Sequence, residues 1–521
     1  MKNKFIVLAT LAIGFAGCEP EFENEVNADY TSGDANFSSY VAIGNSLTAG
    51  YMDGTVSKGS QMNSYPNLLS QQFALVGGGA FTQPSYAEDV NNLGGILGVP
   101  GFSTRLVVDA NQLNPDGSRG AVEPIAGTST ITLTPQATAY NNMGVPGAKS
   151  FHLGFPGYAG LNPYFARHAK SPSATVLGDA MTKAPTFFTN WIGSNDVLAY
   201  ALSGGVGVDQ NAAGNLNPTT YGFNDITNAN TFTSVYSTIV NTLTSNGAKG
   251  VVCTIPSVTS IPYFTTVKYN PIPDAALSSN PNIALITSLH QFLAVATNGR
   301  ISPLNVTDGL PNAVMINDET LSDLGTQITA FANGSGNPIL IANASTLGSL
   351  YGRARSATSN DLLVLPSSRV IGVDPPNSSA NPFDVAGVTL PLADQFVLIP
   401  SELTAISNAT TAFNNSIILI ANAKNTAAGK TVVAVADMNT IMNQLVTGLK
   451  IETGSIYTAN YFSGSATEGQ VLFSLDGVHP NARGYAVIAN EIIKVINAKF
   501  NARLPLHNPT YFPGIHILPS N

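Results

Sequence analysis

The sequence predicts an α/β fold, a parallel sheet covered by helices on both faces. Three observations predict it. Short apolar runs alternate with segments whose apolar residues recur at helical spacing. The runs lack in/out alternation of polar and apolar residues, as strands buried on both faces do. Two of them, residues 39–43 and 186–192, end at Gly44 and Gly193, as a strand feeding a tight turn should.

The elements follow in order. Residues 39–43 form the first strand and residues 186–192, just after Pro185, the second. Phe232, Val235, Ile239 and Leu243 mark a helix that Asn246-Gly247 stops. Lys249 leads into a strand over 251–255, closed by Pro256. Leu403, Ile406, Phe413, Ile417 and Ile420 predict another helix, residues 431–436 another strand. Tyr485, Ile488, Ile492, Val495 and Ile496 give a terminal helix after Pro480. In such sheets ligands bind beyond the carboxyl ends of the strands, where strand order reverses. Two stretches break the rhythm. Residues 54–138 are rich in Gly, Pro and Asn, and residues 257–395 in proline; both read as insertions with structure of their own. The domain runs over 39–504, with a C-terminal tail at 505–521.

The chain has 521 residues, with 22 Lys+Arg against 31 Asp+Glu, a formal charge of −9 and only 10% charged residues. An acidic chain so poor in cations offers no basic face to a phosphate backbone, which excludes nucleic acid as a partner. The hydrophobic fraction of 44% excludes a disordered chain.

Lys2 and Lys4 precede an apolar run over 5–15, then Ala16, Gly17 and Cys18. The run is too short to span a bilayer and suits a signal peptide over 1–17. Small residues followed by cysteine resemble the lipobox of bacterial lipoproteins, with Phe15 where leucine is usual. The resemblance implies lipidation of Cys18 and a cell-envelope protein anchored to the outer membrane, with the membrane face left open. Glu19, Glu21, Glu23 and Glu25 begin an acidic stretch, read as a solvated tether over 18–38. Cys253 sits in an apolar strand and reads as a buried thiol.

Four segments carry chemistry. They are Gly44-Asn45-Ser46-Leu47-Thr48-Ala49-Gly50, Asn142-Met143-Gly144-Val145-Pro146-Gly147-Ala148, Gly193-Ser194-Asn195-Asp196 and Leu475-Asp476-Gly477-Val478-His479-Pro480. Each alone is an ordinary turn or helix cap. Together, each at a strand end or helix start, they suggest nucleophilic catalysis. A serine hydroxyl needs a base to take its proton, a role for His479, and a carboxylate to orient that base, a role for Asp476.

This ordered set resembles the SGNH hydrolases, the GDSL lipase/esterase family, over residues 38–53, 139–260 and 396–504. The resemblance implies a flavodoxin-like α/β/α sandwich with a central parallel sheet. Ser46 matches the nucleophile, His479 and Asp476 the last block. The oxyanion hole falls to the N–H groups of Ser46 and Gly147 and the Asn195 amide, with no cofactor and no metal. Asn45 stands where the family has aspartate, which is not the triad acid.

Other folds fit less well. The α/β-hydrolase elbow needs a glycine where Thr48 stands, and its acid lies far from its histidine. No phosphate loop is present. The six histidines, at 152, 168, 290, 479, 507 and 516, lack zinc spacing, and His152 and His168 read as structural or surface residues. The expected function is ester hydrolysis on an acyl lipid, with an acetylated glycan as the alternative substrate. The apolar stretches 339–341 and 362–365 are candidates for acyl contact or, equally, for the core of an added layer. The rival from another class is a non-catalytic binding lipoprotein on the same fold.

Overall fold

The computed structural model describes residues 29–109, 120–373, 384–462, 470–515 and 517–518. The signal segment, Cys18 and most of the acidic tether lie outside the described residues.

Five strands make the central sheet: β1 (Tyr40–Gly44), β2 (Asn142–Gly144), β3 (Phe187–Trp191), β4 (Lys249–Cys253) and β5 (Val433–Ala436). All neighbours pair in parallel, in the spatial order β2-β1-β3-β4-β5. Chain order therefore reverses direction at β1, so the crevice beyond the ends of β1 and β3 is the place for a site. Gly44 lies opposite Gly144 on one side and Trp191 on the other.

Helices cover both faces. We number α1 (Ser46–Ala49), α2 (Tyr65–Ala74), α3 (Asn195–Leu202), α4 (Ala229–Leu243), α5 (Pro400–Ala428), α6 (Met438–Thr447) and α7 (Ala482–Phe500). Val41 and Ile43 of β1 join a core with Phe232 and Ile239 of α4 and Phe413 of α5. Tyr40 and Ala42 face the other way, into a core with Leu69 and Phe73 of α2 and Ile492 and Ile496 of α7. Successive strand residues thus enter two different apolar cores, which explains the missing polar alternation. Cys253 is buried and unpaired in the second core, and burial pushes its thiol up.

The long connection from β4 to β5 builds cores of its own, one around Val314, Ile316 and Leu363, another around Leu293, Ile328 and Tyr351. The connection from β1 to β2 differs from the sequence reading. It contains α2, which packs on α7 and belongs to the helical layer of the sheet. The packed chain also begins earlier than composition suggests. Thr31 bridges Arg503, and buried Phe37 stacks on Phe73 with ring centroids 3.9 Å apart. No helix among the described residues is long and apolar enough to cross a membrane.

Candidate active site

The serine comes first, because β1 delivers it. Gly44 ends the strand where a Cβ would stand 2.1 Å from Thr48 Oγ1 and 2.6 Å from the Trp191 carbonyl. Asn45 then caps the four-residue helix α1, its Oδ1 accepting from the Leu47 N–H at 3.1 Å. Gly50, at φ 81°, closes the helix in the left-handed region. Ser46 is thereby held at the first helical position, 7% exposed.

His479 comes from the other end of the chain, on the loop before α7. Asn481 caps that helix, accepting from the Gly484 N–H at 2.9 Å. His479 Nδ1–H donates to Asp476 Oδ2 at 3.0 Å. That leaves Nε2 to accept from Ser46 Oγ–H at 2.8 Å. Serine, histidine and aspartate therefore form one hydrogen-bonded line. Asp476 Oδ1 accepts the N–H groups of Val478 and His479, both at 2.8 Å, and the Ser474 hydroxyl at 3.0 Å. Burial alone would raise this carboxyl. The facing imidazole and the backbone donors outweigh it and hold Asp476 below the usual carboxylate range.

Asn195 opens α3 just beyond β3. One N–H of its amide donates to the Ala148 carbonyl at 3.0 Å, which fixes the side chain and ties the second and third motif segments together. Its other N–H has no protein partner among the described residues. Gly147 is exposed at φ 79°, next to Ala148, and is not among the residues lining the cavity described below. Asp196, beside Asn195, is buried and takes both the N–H and the hydroxyl of Ser150. His152 is half-buried and His168 buried. Burial pushes them down to about 4 and about 3, and the His152 ring stacks on Tyr158.

Some contributors were invisible in the sequence. Gly54 donates its N–H to Asp476 Oδ2 at 3.1 Å. Asp53, in the left-handed region at φ 54°, accepts the Leu475 N–H at 3.0 Å, and its own N–H donates to Ser474 Oγ at 3.0 Å. Burial pushes the Asp53 carboxyl up to about 7, and nearby Asp476 adds to the rise. The Tyr51 ring lies 4.5 Å from the His479 ring. The only sequence signal was Asp53-Gly54 as a turn pair.

Ser46, Asn195 and His479 line one cavity that opens to solvent. Its other walls are apolar and come from α3, α6, α7 and the residues beside them. The expected acyl contacts at 339–341 and 362–365 do not line it. Ile339 and Ile341 are exposed, and Leu363 packs in the core of the β4–β5 connection. Leu340 packs against a separate core of that connection, whereas Leu362 and Val364 join the main core of the sheet. No protein-family model, no curated protein and no solved structure matches the chain, so the functional reading rests on this geometry.

Proposed function

We propose that the chain is a serine carboxylic-ester hydrolase of the SGNH (GDSL) type, working through an acyl-enzyme on Ser46. The observation that carries this reading is the line Ser46–His479–Asp476 opening on an apolar cavity. Ser46 Oγ attacks the ester carbonyl as its proton passes to His479 Nε2. The alcohol leaves with that proton, and water, deprotonated by the same nitrogen, releases the acid. Asp476 keeps Nδ1 protonated and stabilises the imidazolium. The second N–H of the Asn195 amide, with the N–H groups of Ser46 and Gly147, serves the oxyanion. The strand order is that of flavodoxin-type sheets, with the serine at the switch point between β1 and β3. The Cys18 signal adds a lipid anchor at the outer membrane to the proposal.

The test is labelling of Ser46 by a fluorophosphonate. Rapid labelling is expected, lost in Ser46→Ala and slowed in His479→Ala. A folded chain that stays unlabelled and leaves p-nitrophenyl esters intact would return the protein to the non-catalytic binding role.

A further inference from the structure

The cavity at Ser46 is divided by chemistry. Its polar lining residues are Asn45, Ser46, Ser194, Asn195 and His479, all from the segments that carry the triad and the Asn195 amide. Every other lining residue is apolar, glycine or proline, and none is Asp, Glu, Lys or Arg. The apolar part crosses the sheet. Ser46 follows β1, whereas Met438, Met442 and Leu445 belong to α6, which follows the edge strand β5. Three strand spacings separate β1 from β5, about 14 Å at ~4.8 Å each. Val487 and Ile488 of α7 line the cavity as well.

We propose that this cavity holds the acyl chain of the ester, that the chain is medium to long, and that Met442 and Leu445 set its length. The inference rests on the ester-hydrolase reading of Ser46 and goes on to name the substrate. An acetyl group would reach only the catalytic end and leave the apolar walls at Met438, Met442 and Leu445 uncovered. A sugar ring drawn inside would lose its water and find no partner for its hydroxyls away from the catalytic end. A hydrocarbon chain loses nothing there and gains burial at each carbon.

The test compares kcat/KM of the full-length chain on p-nitrophenyl acetate, butyrate, octanoate and palmitate, with Ser46→Ala as the blank. The leaving group is constant, so the comparison reads the acyl side alone. Fully realised burial is worth about fourfold per methylene, from ~0.8 kcal/mol per CH₂ at 1.36 kcal/mol per tenfold. A rise of at least 100-fold from acetate to octanoate is expected. Met442→Trp, or Leu445→Phe should the first fail to fold, is expected to lower the octanoate-to-acetate ratio at least tenfold. A profile that peaks at acetate, or a ratio that neither variant changes, overturns the acyl-chain assignment while leaving the hydrolase reading intact. Loss of all ester hydrolysis, with Ser46 unlabelled by fluorophosphonate, removes the hydrolase reading and this inference with it.

Discussion

At the position before the serine, Asn45 shows what the side chain must do there. It is 1% exposed, and its Oδ1 accepts the Leu47 N–H, a cap that asparagine and aspartate make equally well. The cap survives the loss of charge, while the Asn45 amide N–H₂, buried, has no hydrogen-bond partner among the described residues. Asn195 is a different case, because its amide is held by the Ala148 carbonyl with one N–H left to give. Asn195→Ala removes a donor fixed in advance, and such losses typically lower turnover ~100–1000-fold. Only one neutral hydrogen bond goes with it, so stability should fall by about 1 kcal/mol. Steady-state kinetics on p-nitrophenyl octanoate beside a thermal melt separates the two effects. A kcat within threefold of the unaltered chain would take Asn195 out of the oxyanion hole.

Among the elements, those that were legible in the sequence share a physical cause. Strands β1, β3, β4 and β5 are short apolar runs because both faces are buried, and α4, α5 and α7 keep their helical period over many residues. The motif segments were legible because a turn that exposes a serine, or caps a helix after a histidine, needs particular residue types. Strand β2 was not, since Asn142-Met143-Gly144 is three residues long and mostly polar or flexible. Helix α2 hid among glycine-rich loops, although Tyr65, Leu68, Leu69 and Phe73 have helical spacing and are buried. The support of Asp476 by Gly54 joins residues 422 positions apart, a pairing that no local pattern encodes. The join between the β4–β5 connection and α5 was equally hidden. There the carboxylates of Glu319, Asp394 and Glu402 lie within 4.8 Å of one another. Burial first, then the neighbouring acids, pushes Glu402 up to about 8 and Asp394 up to about 6. Both folded values are raised, so the native state holds protons that the unfolded chain releases. The resulting stability is full below pH 4 and is lost as pH rises to about 8. Melting temperature should therefore fall between pH 5 and pH 8.5, and Glu402→Gln should flatten that decline, its amide still accepting the Ile399 N–H. An unchanged slope in the variant would mean that the join does not titrate.

Across the whole molecule, the two ends of the sandwich have different tasks. Residues 31–34 meet the end of α7, where Asp34 N–H donates to the Phe500 carbonyl and Thr31 bridges Arg503. Ser46 and His479 lie at the other end, beside the start of the same helix. Nineteen residues of helix separate the two, about 28 Å at ~1.5 Å per residue. The residues from Glu19 to Ala28 reach at most roughly 36 Å when fully extended. A lipid on Cys18 would then hold the chain by the end remote from the cavity, with the catalytic crevice facing away from the anchoring bilayer. Turning the crevice to that bilayer would need nearly the whole contour of the tether, at a large cost in chain entropy. The anchored protein should therefore hydrolyse dissolved p-nitrophenyl butyrate as fast as the detergent-solubilised protein, yet act slowly on a fluorogenic acyl ester embedded in its own vesicle. A Gly/Ser spacer of about 30 residues after Ala28 adds an r.m.s. reach of roughly 30 Å. It should raise the second rate at least fivefold and leave the first unchanged. Equal turnover of the embedded ester with and without the spacer would mean that the crevice already reaches the membrane, and that the anchor presents the enzyme to its own bilayer.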